Sequence, residues 1–298
     1  MHILLFVPQR FTGNISDLNA YGVQTRRNQN NNISIKKRLN YAMKKGINIG
    51  FGYEISSEER FFQIREAGFD TVSLDFEQEF EPLLGSPESQ VKLAEQYGLT
   101  VESAHLTGVN MTSIWTDGTA AELVTQRLID ELKLINTVGV PTGVAHVTWG
   151  MTAPPEPNEQ ALIRFERAAE TAERYNVKLA LENSVFAEHV HYLLENIQSE
   201  HVGFCYDSGH ENCFTPKENY LEKYGNRLFT MHLHDNDGLC DQHTFPFCGT
   251  INWSEKVALL RRSAIGDCLF LEIGYQPNEN PESLLTKAYH AAKRLECL

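Results

Sequence analysis

From Gly46 to the C-terminus the chain repeats one alternation eight times: a short apolar run, a turn, then a stretch of helical period. The apolar runs read as strands over residues 47–51, 69–76, 99–106, 142–149, 177–182, 202–207, 228–234 and 268–273. The helices between them fall over 57–67, 87–97, 119–138, 159–175, 187–196, a short segment at Tyr220, 253–262 and 281–295. Ser56 and Ser86 stand where N-caps belong, and Gly68 and Gly98 where those helices stop. Parallel strands need helical crossovers, and eight strand–helix units over about 250 residues fill a closed barrel. The predicted class is α/β, a single (β/α)8 or TIM barrel.

The strands end on residues foreign to an apolar core: His105, His146, Glu182, Asp207, His232 and Glu272. In such a barrel the interior is packed with branched apolar side chains, and the C-terminal rim carries the chemistry. Acids and imidazoles at equivalent places on strands three to eight therefore converge on one small volume. Converging carboxylates repel, and a divalent cation removes the repulsion. Glu182, Asp207, His232 and Glu272 form a coherent ligand set at the C-terminal face.

His210, three residues beyond Asp207 in "DSGH", is placed to bind a second metal or a substrate oxygen. Asp241 and His243 form a D-x-H pair in the next loop. His234 shares a strand face with His232 and is either a pocket residue or a supporting one. His189, His191, His201 and His290 read as surface residues. The oxygen and nitrogen donors suit Mn2+ or Zn2+, with Co2+ or Fe2+ also compatible. No glycine-rich nucleotide loop follows the first strand, so no nucleotide cofactor is expected.

Lys and Arg number 26 against 39 Asp and Glu, a formal net charge of -13. That balance argues mildly against a polyanionic partner, although a local basic patch would still bind nucleic acid. The six cysteines form no CxxC pair, which points to free thiols in a reducing, cytoplasmic setting. The apolar start at residues 3–7 is too short for a membrane span or a signal peptide. Residues 1–43 are polar, with an Asn-, Arg- and Lys-rich stretch and no sustained period. They read as a disordered or mis-annotated extension, or as a nucleic-acid-binding arm, ahead of a barrel at 44–298.

The segments "LALEN", "CYDSGH", "MHLHDNDG", "DQHTFPFCGTINW" and "LFLEIG" resemble the xylose-isomerase-like barrel superfamily, from about Lys44 to the C-terminus. It includes sugar isomerases, ketose 3-epimerases, inosose dehydratases and type IV apurinic/apyrimidinic endonucleases. For the sugar-active members the resemblance implies one metal on Glu182, Asp207, His232 and Glu272. The two glutamates would also move protons, and His210 would contact substrate. For the endonucleases it implies three metals on His105, His146, Glu182, Asp207, His210, His232, Asp241, His243 and Glu272. "DSGHENCFTP" departs from the endonuclease pattern, which has a cysteine before the histidine and an alanine-rich continuation.

The leading expectation is a metal-dependent isomerase or epimerase of a small sugar, polyol or sugar derivative, with Glu182, Glu272 and His210 catalytic. Trp115 and Trp149 would pack against the sugar or serve as structural rim aromatics. One alternative is phosphodiester hydrolysis at abasic DNA with a zinc cluster. Another is a metal-binding barrel without catalysis, marked by a site with no reachable cavity. A homo-oligomer is expected, and no membrane partner.

Overall fold

The computed structural model describes residues 43–77 and 80–298. The expectations for the segment ahead of Met43 lie outside the described residues. Among those described, eight strands form one parallel sheet. They are β1 (Lys44–Asn48), β2 (Thr71–Asp75), β3 (Thr100–His105), β4 (Thr142–His146), β5 (Lys178–Glu182), β6 (Val202–Asp207), β7 (Leu228–His232) and β8 (Cys268–Leu271). Each pairs with its sequence neighbour, and β1 returns to β8. The last seam, between β7 and β8, closes through Leu233: its N–H donates to the Phe270 carbonyl at 2.9 Å, and Glu272 N donates back to its carbonyl at 3.2 Å. The chain is a TIM barrel.

The long crossovers are α1 (Ser57–Glu66), α3 (Pro87–Gln96), α4 (Thr119–Thr137), α5 (Glu159–Arg174), α6 (Ala187–Asn196), α9 (Trp253–Leu260) and α10 (Pro281–Glu296). Shorter helices are α2 (Glu81–Leu84), α7 (Ser208–Phe214) and α8 (Tyr220–Tyr224). The Ser56 hydroxyl accepts from Glu59 N at 3.2 Å, Ser86 from Ser89 N at 3.4 Å and Asn280 from Ser283 N at 2.8 Å. Each side chain satisfies one of the orphan donors of a first helical turn. Ile64, Phe69, Leu132, Phe165, Leu193 and Leu284, all fully buried, pack the helical layer onto the sheet. No helix among the described residues is long and apolar enough to cross a membrane.

Strand β1 lies nearer the N-terminus than its apolar run indicates. Lysines at 44 and 45 speak against a buried strand, yet both belong to it. The Lys45 ammonium reaches the Glu296 carboxylate at 2.8 Å and the Met43 carbonyl at 2.9 Å, so its charge is paired where it is buried. Met43 is itself buried, and its N–H donates to Glu296 at 2.6 Å. After β6 the chain enters a helix at once, α7, for which the Asp207 side chain is the N-cap, accepting from His210 N at 2.6 Å.

Candidate metal centre

Strand register sets the candidate donors level with one another. His146 pairs with Glu182, and Asp207 with His232. Side chains two apart on a strand share a face. Two positions before these donors come Val144, Ala180, Cys205 and Thr230, all fully buried. Val144, Ala180 and Cys205 pack together as a small cluster apart from the main core. The barrel interior therefore passes, within one pleat, from small side chains to acids and imidazoles. His105 ends β3, Glu272 follows β8, His210 lies in α7, and Asp241 and His243 come from the loop after β7.

Glu182, 1% exposed, stands at the middle of this group. Its Oε1 lies 3.1 Å from His232 Nδ1 and 3.5 Å from His210 Nδ1. Its Oε2 lies 3.5 Å from His105 Nε2 and 3.3 Å from His146 Nε2. Glu272 Oε2 approaches His232 Nδ1 at 3.4 Å and His243 Nδ1 at 3.7 Å. Asp241 Oδ2 sits 3.3 Å from His210 Nε2 and 2.9 Å from His243 Nε2. The nine residues singled out in the sequence are thus brought into one contiguous group.

Three sets within it have the spacing a cation needs. Ligand atoms of Glu182, Asp207, His232 and Glu272 all lie within 4.8 Å of one another. The same limit holds for His105, His146 and Glu182, and for His210, Asp241 and His243. Glu182 Oε2 and Asp241 Oδ1 are buried without a hydrogen-bond partner. A buried, unpaired carboxylate oxygen is costly, and a cation would satisfy both. The imidazoles are held as ligands usually are: Nδ1 of His105, His210 and His243 lies 3.0, 2.9 and 3.3 Å from the Leu106, Asn183 and Glu272 carbonyls. Donation from Nδ1 turns each Nε2 toward a carboxylate. The donor set therefore fits divalent metal.

Without metal, protons take its place. Burial lowers the His105 pKa, but Glu182, Glu272 and Asp75 outweigh it and hold His105 at about 10. The same contest leaves His232 at about 9 under Glu272 and Glu182, and His243 at about 9 beside Asp241. Burial works to raise the Glu182 carboxyl, yet His232 and His146 keep it well below the usual carboxylate range. Asp241 is likewise lowered against burial by His210 and His243. Cys205 faces inward beneath this group, but burial and the nearby carboxylates push its thiol well up, which disfavours the thiolate a metal needs.

Supporting residues complete the arrangement. His234, fully buried, has Nε2 3.1 Å from each Asp207 oxygen and stacks on His243 at 4.0 Å. Gly209 permits this: a Cβ there would lie 1.9 Å from His234 Cε1. Asn183 grips the Asp207 backbone twice, each bond 2.8 Å. Asp235, fully buried, accepts from Phe247 N at 3.0 Å, Ile251 N at 3.2 Å and Trp253 Nε1 at 2.8 Å. It organises the loop that carries Asp241 and His243. His243 has the left-handed φ of 45°, an uncommon backbone for a non-glycine residue and one often found at functional sites. The sequence expectations gave Asp235 no particular role and did not include Asn183 or Asp75; an acid directly after "HLH" and the Asn of "LEN" were the available signals.

Of the two readings of Trp115 the structural one holds, and the surface reading of His189 is corrected. Trp115 is only 2% exposed, with Nε1 donating to the Val147 carbonyl at 2.7 Å, so it packs behind the rim. His189 is a core residue, 1% exposed: it meets the Trp115 ring edge-on at 4.5 Å and bonds the Pro155 carbonyl at 2.8 Å. Its helical spacing gave no sign of the loop that folds over it. Trp149 does stand at the mouth, 40% exposed and 5.4 Å from the His146 ring.

The mouth opens into a cleft of two lobes. One, about 420 Å³, extends past Trp149, Met151, Ser184, Val185 and Phe214. The other, about 310 Å³, extends past Asn48, Gly50, Ser73, Asp75, Glu77 and Phe80. Both are walled by His105, His146, Trp149, His243 and Glu272. No Lys or Arg is among the described residues lining either lobe.

Comparison with known proteins agrees with this architecture. The Sinorhizobium fredii protein y4fM is 29% identical over 228 residues, 64% of this chain and 72% of that one. A solved D-tagatose 3-epimerase-like protein superposes with a TM-score of 0.67 at 21% identity, covering 85% of this chain and 97% of its own. An L-ribulose 3-epimerase superposes with a TM-score of 0.69 at 16% identity, covering 86% and 95%. At such identities the two structures speak for the fold alone. The model of one family, described as xylose isomerase-like TIM barrel, matches residues 61–294, and the chain belongs to that family.

Proposed function

We propose that the protein is a divalent-metal-dependent isomerase or epimerase of a small sugar, polyol or sugar derivative. The observation that carries this reading is the compact four-residue set of Glu182, Asp207, His232 and Glu272, of which Glu272 also lines the open cleft. A bound ion would polarise a substrate carbonyl and so acidify the neighbouring C–H bond. Glu182 and Glu272 are the groups that would take and return the proton. Both stand against Nδ1 of the His232 imidazole, at 3.1 and 3.4 Å. His210, held by Asn183 and Asp207, would orient a substrate oxygen. The epimerase names of the fold neighbours support the reaction class without fixing the substrate. Mn2+ or Zn2+ suits the mixed donors.

One observation favours a second reading. The sets His105–His146–Glu182 and His210–Asp241–His243 adjoin the first and are equally compact. Together the three sets would hold three zinc ions, which would supply water activation and charge stabilisation suited to phosphodiester hydrolysis. Against it, the cleft lacks the Lys and Arg that duplex contacts draw on, among the described residues. A barrel that only stores an ion has no need of so open a cleft.

The test is metal content together with isotope exchange. One ion per chain, and carbon-bound deuterium after incubation with a broad panel of ketoses and inosose-like polyols in deuterated water, is the expected result. Neither turnover nor exchange across the panel would reject the proton-transfer reading. Three zinc ions with cleavage of abasic DNA would establish the second.

A further inference from the structure

The two lobes differ chemically, and the difference bears on the substrate. Resting on the sugar-enzyme reading above, we propose that the substrate has two unlike ends. A hydroxyl-rich, unphosphorylated end would lie on Asp75, and a carbon-rich substituent would lie between Trp149, Met151 and Phe214.

The polar end has defined donors and acceptors. Asp75 ends β2, and its Oδ1 accepts from Glu77 N at 2.9 Å, leaving Oδ2 turned to the lobe. Asn48 Oδ1 is engaged by Ile273 N at 3.1 Å, which leaves its amide N–H groups to donate. Gly50 keeps the space between them open: a Cβ there would stand 3.0 Å from Asp75 Oδ2 and 3.9 Å from Asn48 Nδ2. A carboxylate acceptor beside an amide donor suits two neighbouring hydroxyls, one donating and one accepting. The same carboxylate, with Glu77 behind it and no Lys or Arg among the described lining residues, disfavours a phosphate at this end.

Beyond the candidate metal-centre residues that border it, the other lobe offers a hydroxyl little except Thr148 and Ser184, which bond each other at 3.1 Å. Trp149 is fixed for contact: its N–H donates to Thr112 Oγ1 at 2.7 Å, and that hydroxyl donates to the Trp149 carbonyl at 2.9 Å. Met151, 69% exposed, stands beside it. Exposed apolar groups flanking a polar centre are recovered by a ligand that covers them.

Trp149 also reports occupancy, because the other two tryptophans, Trp115 and Trp253, are buried. Three matched probes are titrated into zinc-loaded protein by tryptophan fluorescence: D-fructose, 1-O-benzyl-D-fructose and D-fructose 6-phosphate. The benzyl derivative should bind about tenfold tighter than fructose, and the phosphate at least threefold more weakly than fructose, as apolar burial and charge repulsion require. Met151→Ser should shrink the benzyl advantage and leave fructose unaffected. Gly50→Ala should weaken fructose and its benzyl ether alike, with metal content unchanged. Equal binding of fructose and its benzyl ether, or tighter binding of the phosphate, overturns the two-ended substrate and leaves the sugar reading standing. If zinc binds and no probe alters the fluorescence, the sugar reading falls, and this inference with it.

Discussion

Metal uptake should be strongly pH-dependent, by an amount that follows from the site. In the metal-free protein the carboxylates of Glu272 and Glu182 hold His232 at about 9. At pH 7 that imidazole carries a proton, and an ion entering the Glu182, Asp207, His232 and Glu272 set must displace it. Two pH units below the pKa, the apparent affinity is lowered about 100-fold, or roughly 2.7 kcal/mol. Between pH 6 and 8 the logarithm of the association constant should therefore rise by at least one per pH unit. The ion also neutralises the charges that hold His105 at about 10, so proton release is at least one per ion bound. Calorimetric titration of chelator-stripped protein in buffers of differing ionisation enthalpy measures the number. A pH-independent affinity over this range, with no proton released, would refute the assignment of His232 as a ligand.

The same pairs govern the stability of metal-free protein. His105, His232 and His243 have raised pKa values, so their contribution is complete below the unfolded histidine value and is lost as pH rises through 9 to 10. Glu182 and Asp241 are lowered, and theirs is lost in acid as pH falls toward their folded values. Thermal melts should show the stripped protein less stable at pH 10 than at pH 7, with metal abolishing most of the difference. Glu272→Gln should remove turnover while far-ultraviolet dichroism stays unchanged; retained turnover would reject its proton-transfer role. Gly209→Ala forces a Cβ into the His234 ring and should cost about 1–3 kcal/mol in urea unfolding, as overpacking does. Asp235→Ala leaves four donors unpaired, the backbone N–H groups of Asn236, Phe247 and Ile251 and the Trp253 indole, and should cost about 3 kcal/mol or more, with weakened metal uptake at Asp241 and His243.

The barrel was legible because eight apolar runs alternate with helices, and six of those runs carry at their ends a residue a core would not accept. His146, Glu182, Asp207 and His232 needed only the pleat to share a face. Register placed them level, and register is a property of neighbouring strands that no single segment reveals. Strand β1 was displaced in the sequence reading because hydropathy counts Lys45 as exposed, whereas its charge is buried against Glu296. Nothing in the sequence around Asp75 marks it, because the space in front of it is left by Gly50, a residue of another strand's loop. Asp235 resembled a loop acid because its partners, Phe247, Ile251 and Trp253, lie up to 18 residues downstream.

Glu182 decides how the candidate sets relate. A carboxylate has two oxygens, and here they face opposite ways, Oε1 toward His232 and His210, Oε2 toward His105 and His146. An ion on the inner set would engage one oxygen and leave the other for a neighbour at His105 and His146. Glu182→Gln should then abolish uptake at both sets, because an amide lacks the charge and offers only one acceptor oxygen. His105→Ala should affect only the outer set. Metal content of the two variants separates the proposed functions: a one-ion enzyme loses its ion in Glu182→Gln and keeps it in His105→Ala, whereas a three-ion enzyme loses metal in both. If Glu182→Gln retained its full complement of metal, the central place given to Glu182 would be wrong under either reading.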